Sequence, residues 1–257
     1  MIRAATLAVL VLTLQGLPAP LAADTRLITL NIPADTARQQ ISVVVRPNLS
    51  HTSKLPTDAL RLARQAMLDD LPITDADLRT LADHGDGLAA QTYVRRLAVQ
   101  RADPSDIAYY GTIAVSTGRV WSLPDVVAAL HRLNPKTEPP ERTRAYAEML
   151  YPHAWAGNSL AMDALIDLNG EGKLFGPMSE DTRKRIVAQD DETGDGRAAL
   201  RLSLVLLQKP RLGDKDRALL QRYLDRAAAS DNLTVKATAA NILALRQPEP
   251  TKAASTP

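Results

Sequence analysis

The sequence predicts an all-α fold: a right-handed α-solenoid of antiparallel helix pairs, preceded by a short irregular or β-containing lead-in. Three observations predict it. Apolar residues recur at helical spacing from Pro56 onward. Gly157, Gly194 and Asp231 lie 37 residues apart, each just ahead of a helical stretch. Aromatic residues are scarce, with two Trp, six Tyr and one Phe, so the core must be built from Leu, Ala, Ile and Val, which suits close-packed helices better than sheets.

In chain order, residues 1–23 read as a cleavable signal peptide. Arg3 supplies a positive start, Ala4 to Leu14 is apolar and uncharged, Gln15, Gly16 and Pro18 break it, and Ala22-Ala23 offers a small-residue site. The apolar core is too short for a membrane span, and no later stretch is long enough for one, so a periplasmic or secreted location without stable membrane insertion is expected. Residues 24–55 form the lead-in. Arg26 to Ile32 alternates and Ile41 to Val45 is β-branched, so each is a candidate short strand, and Pro47 ends the second.

The helical domain covers residues 56–246. Pro56-Thr57-Asp58 opens one helix, and Thr74-Asp75-Ala76-Asp77 opens another that ends at His84-Gly85. Helical stretches follow at about 87–100, 104–117, 123–133, 140–151, 158–169, 178–189, 196–208, 214–229 and 232–246. Their short Gly-, Pro- or Asp-containing connections imply antiparallel neighbours. The tail from 247 to 257 (QPEPTKAASTP) is Pro-rich and poor in apolar residues, which predicts disorder.

The period carries a template. Four residues beyond Gly157, Gly194 and Asp231 stand Ala161, Ala198 and Val235, and eight beyond stand Leu165, Leu202 and Ala239. Gly85, Ala89 and Tyr93 fit it too. Small residues at the first position let helices approach closely, and glycine ends a helix at positive φ without a steric penalty. One helix pair cannot bury its own apolar face, so neighbours must stack.

The pattern resembles the Sel-one-like repeat, a relative of the tetratricopeptide repeat. Tyr110-Gly111-Thr112-Ile113-Ala114, then Gly118, Val120, Asp125 and Ala129, is similar to the first two-thirds of one repeat. Ala161, Leu165 and Gly172 keep the spacing in a second. Asp214, Ala218, Tyr223, Ala227 and Ala228 resemble the second helix of a third, with Tyr223 in place of the consensus Trp. Ile166 and Ser203 replace the Gly after the Leu, Asp231 replaces the inter-repeat Gly, and 176–190 lacks the double Ala, so the repeats over about 102–246 are degenerate. The resemblance implies scaffolding, with a concave helical surface offered to a protein partner. Exported bacterial members serve envelope assembly, polysaccharide secretion and control of sensor kinases.

Composition narrows the chemistry. The formal charge is +2, falling to +1 once Arg3 leaves with the leader, which is too balanced for a binder of nucleic acid or anionic membrane. With no Cys there are neither disulfides nor thiol catalysis. No cofactor or metal is expected. His51, His84, His131 and His153 lack metal-site spacing, and a G-x-S-x-G elbow and a phosphate loop are missing. Asp190 to Gly196 superficially suggests a Ca²⁺ loop, but position 12 counted from Asp191 is Leu202 rather than a bidentate Glu. The expected role of these acids is a solvated turn favouring the following helix N-terminus.

The chain is therefore expected to be no enzyme but an adaptor for a protein partner. If the template positions at +4 and +8 are buried, +6 and +10 point away from the packed seam. These are Gln91 and Arg95, Asp163 and Asp167, then Leu200 and Leu204, where the leucines indicate that the last repeat buries this face as well. The like-charged Asp163–Asp167 pair, one helical turn apart, is tolerated best on a solvated or partner-facing surface. Tyr109, Tyr110, Tyr151 and Trp155 are candidate anchors, with core packing at a helix junction as the alternative. A carbohydrate- or peptidoglycan-active protein using Asp163, Asp167 or Glu192 as acids, and a purely structural spacer, are the competing functions.

Overall fold

The structure, a computed structural model, describes residues 36–246, and over that range it is all-α with no strand. Twelve α-helices follow one another: α1 (Thr36–Gln39), α2 (Asp58–Leu68), α3 (Asp75–Asp83), α4 (Gly87–Val99), α5 (Pro104–Ser116), α6 (Leu123–Leu130), α7 (Pro140–Trp155), α8 (Ser159–Leu168), α9 (Glu180–Thr193), α10 (Arg197–Leu207), α11 (Asp214–Ala228) and α12 (Leu233–Arg246). Every helical stretch expected between 58 and 246 is present. No helix among the described residues is long and apolar enough to cross a membrane. The leader, the first candidate strand and the tail lie outside the described residues.

Helix starts are dictated by short polar side chains. Thr57, Thr74 and Ser179 each accept a hydrogen bond from the backbone N–H three residues on, opening α2, α3 and α9. Pro104 and Pro140 occupy first-turn positions, where a missing N–H costs nothing. Three helix ends differ from the sequence expectation: α6 stops at Leu130 rather than 133, α9 runs on past 189 to Thr193, and α7 continues past 151 through Pro152 to Trp155. Proline removes one helical hydrogen bond, and burial of His153 and Ala154 on the following turn offsets that loss.

Each helix from α3 to α12 packs on a sequence neighbour, and α5 also touches α7, α6 touches α8, α8 touches α10, and α10 touches α12. At its starting positions the 37-residue template has a common local geometry. Gly85, Gly157 and Gly194 all take positive φ (+81°, +97° and +67°). The residue after each template start, namely Asp86, Asn158, Asp195 and Asn232, turns its side-chain oxygen onto backbone N–H groups of the next helix. The +4 residues Ala89, Ala161, Ala198 and Val235 are buried, as are Tyr93, Leu165, Leu202 and Ala239 at +8.

The described part of the lead-in lies as a strap across helix ends. Among the described residues, Ile41 to Val45 forms no strand and makes a single bridge, Val44 to Thr117. Its hydrogen-bond partners there are helix ends. Ser116, the last residue of α5, has a carbonyl without an intrahelical donor, and it accepts from Val45 and Arg46 N–H at 2.8 and 2.9 Å. Arg38 pairs with Asp195 at 2.6 Å, Asn158 donates to the Gln39 and Ile41 carbonyls, and Asn48 accepts from Gly87 N–H at 2.8 Å. The strap thus meets successive turns at residues 38, 41, 44 and 48, in reverse chain order. Three extended residues span roughly 10 Å, close to the roughly 8–10 Å between packed helix axes.

Candidate interaction surfaces

The residues proposed from sequence as partner-binding fall into three environments. The first is the interface of α8 and α10. Asp163 is 6% exposed there. Arg197 grips it through two nitrogens, Nη2 to Oδ2 at 2.5 Å and Nε to Oδ1 at 3.3 Å, and Arg201 Nε lies 2.7 Å from Oδ1. Arg201 Nη1 then donates to Asp167 at 2.8 Å. The solvated-face expectation for Asp163 is corrected. Two arginines of α10 neutralise the carboxylate pair, so it bridges α8 and α10 instead of facing outward. Burial pushes the Asp163 carboxyl upward, against the lowering effect of Arg197 and Arg201. Gln91 is corrected likewise, being buried in α4, whereas Arg95 is exposed and Asp167 half-exposed.

The second environment is a tyrosine cluster on α4 and α5. Tyr110 is buried, edge-on to Tyr93 at 4.9 Å and to Tyr109 at 5.0 Å, and its hydroxyl accepts from Arg79 Nε at 3.0 Å. It is core, the alternative left open by the sequence. Tyr109 stays half-buried beneath the Arg142 guanidinium, 4.4 Å from the ring centroid.

The third is a platform on α7. Tyr151 and Trp155, one turn apart, stack at 5.6 Å with 29° between their planes. Arg185 of α9 lies 4.5 Å above the Trp155 ring. Both rings are half-exposed, so an aromatic face and a cation meet solvent together. Sequence reasoning missed Trp121, which is 66% exposed on the tight turn Val120–Ser122. Its only sequence cue is a place between Gly118 and Pro124, a short connector that leaves no helix face to bury it.

The acid-rich turn caps a helix. Asp190 accepts from Ala198 and Ala199 N–H through separate oxygens, both at 3.0 Å, and Asp195 accepts from Arg197 N–H. The first three donors of α10 are thereby satisfied. The expected helix-favouring role fits this geometry, but Asp190 is buried, not solvated. Burial, with the nearby Asp195 charge, pushes its carboxyl up to about 6. Among the described residues, no three His, Asp or Glu side chains converge as a metal site would require.

A groove separates α9 from α11, which both lean on α10. It encloses about 570 Å³ and is lined by Arg183, Val187, Lys215, Leu219, Arg222 and Tyr223, among others. No family model, curated protein or solved structure matches this chain.

Proposed function

We propose that this chain is an exported adaptor of the cell envelope, built as a Sel-one-like α-solenoid that holds a protein partner on its helical surface. The observation that carries the proposal is the Tyr151–Trp155–Arg185 platform, supported by the exposed Trp121. Tyr, Trp and Arg are the residue types in which interface energy concentrates, and a stacked pair under a guanidinium is pre-organised, so little side-chain entropy is lost on docking. The repeated cap geometry at 86, 158, 195 and 232, with buried residues at +4 and +8, supports the stacked-repeat arrangement.

The test is affinity capture from envelope extract by the mature chain, compared with Trp155→Ala and Trp121→Ala. Capture of a specific protein that both substitutions weaken is the expected result. Equal capture by all three forms, or capture of nothing specific, overturns the proposal. The exported location is tested by N-terminal sequencing, which is expected to start at Asp24.

A further inference from the structure

We infer that the groove between α9 and α11 is the docking site for an acidic amphipathic helix of a partner protein, an inference that rests on the adaptor reading above. The groove follows from an imbalance in the sequence. Helix α9 (EDTRKRIVAQDDET) buries only Ile186 and Asp190, so most of its surface is left to solvent. Helix α11 buries Leu220, Tyr223, Leu224 and Ala227. Both pack on α10, and the space between them is floored by Val187, Leu219 and Tyr223.

The rims are basic. Arg183 and Lys184 on α9 face Lys215, Arg222 and Arg226 on α11, against Glu180 and Asp191, which gives five positive and two negative side chains. Glu180 and Asp191 are already engaged, by Lys184 at 3.1 Å and by Arg226. Arg183, Lys215 and Arg222 have no carboxylate within ion-pairing distance among the described residues. The unbalanced charge is therefore positive and lies along an apolar trough. At 1.5 Å per residue, α9 and α11 offer walls of roughly 20 Å, enough for a partner helix of about four turns.

An apolar floor between basic rims complements one kind of ligand: a helix with an apolar stripe flanked by Asp or Glu. A bare polyanion would satisfy the rims but leave the half-buried Val187 and Leu219 uncovered. The chain's own ends are poor occupants, because residues 1–35 carry two acids and two bases and the tail one of each.

The test measures binding of fluorescent peptides to the full mature chain by anisotropy. One peptide carries Leu at helical spacing with Glu on both flanks, one has that composition scrambled, and the third is polyglutamate. The first is expected to bind, more weakly as salt rises, and the other two to bind far less. Arg183→Glu with Arg222→Glu is expected to weaken binding about tenfold. Arg222 is exposed and Arg183 half-buried, and neither belongs to an ion pair among the described residues, so circular dichroism of the variant is expected to match the parent. Comparable binding by scrambled peptide or polyglutamate, no effect of the reversal, or self-association of the chain through these residues overturns the inference. If an envelope protein is captured through the Trp155 platform while the first peptide fails to bind, the groove inference falls and the adaptor reading stands. If nothing is captured, the adaptor reading falls.

Discussion

Gly111 lies mid-way along α5, where glycine costs about 1 kcal/mol of helix propensity relative to alanine. A Cβ placed there would sit 2.2 Å from Val126 Cγ2 on α6, far inside the roughly 3.5–4.0 Å of a favourable carbon contact. Val126 is fully buried, and a valine in a helix has essentially one side-chain rotamer, so it cannot swing aside. Gly111→Ala must push α5 and α6 apart or strain Val126. An approach this close falls in the upper part of the usual overpacking cost, about 2–3 kcal/mol, and outweighs the propensity gain of about 1 kcal/mol, for a net loss of roughly 1–2 kcal/mol. Val126→Ala alone loses two buried methyl groups and leaves a cavity, about 2 kcal/mol. In the double variant the new methyl at 111 enters the space Val126 vacates. The combined loss is then expected to fall short of additivity by at least about 1 kcal/mol. Urea unfolding followed by far-UV circular dichroism measures all three. A neutral or stabilising Gly111→Ala, or strict additivity, refutes close approach of these helices at Gly111.

Three further predictions follow from the buried polar groups. Asp163→Asn leaves two arginine charges short of a counter-charge at a buried interface and is expected to cost about 3–5 kcal/mol in urea unfolding, whereas Asp167→Asn, half-exposed, costs under about 1 kcal/mol; equal costs would contradict the bridging role. Asn158→Ala removes a cap and two of the strap's hydrogen bonds, those to the Gln39 and Ile41 carbonyls, so about 2–3 kcal/mol is lost and tryptic cleavage after Arg38 accelerates. Asn232→Ala at the equivalent position loses only the cap, about 1 kcal/mol, and leaves that cleavage unchanged. His153 is fully buried, and burial holds its imidazole below the ordinary histidine range. A depressed base is neutral in the fold, so its contribution is complete above about pH 6.5 and is lost as pH falls below that. Stability differences between the native chain and His153→Gln, measured across pH 7 to about 4.5, are expected to shrink toward acid; a flat difference would contradict the assignment.

The helices were legible because their starts are written locally, as at Thr57, Thr74 and Ser179, where a side chain reaches a backbone N–H within three residues. The 37-residue template was legible for the same reason, through Gly157, Gly194 and the small residues after them. What sequence could not show depends on partners far along the chain. Asp163 reads as exposed until Arg197 and Arg201 of α10 are set against it. Ile41 to Val45 reads as a strand because β-branched residues favour extended backbone, and only the fold supplies helix ends as its partners. The groove between α9 and α11 is equally non-local, since neither helix alone shows that the other stands across a trough.

The central claim is that neighbouring helix pairs cover one another's apolar faces, and hydrogen–deuterium exchange of a Leu202→Asp variant tests it most directly. Leu202 is buried in α10, which packs on α8 and α11. Faster exchange is expected in α8 and α11 as well as α10, fading toward α3 and α4, because helix pairs coupled only through their interfaces pass on a local loss of stability to their neighbours first. Acceleration confined to α10, or uniform across residues 58–246, would contradict it.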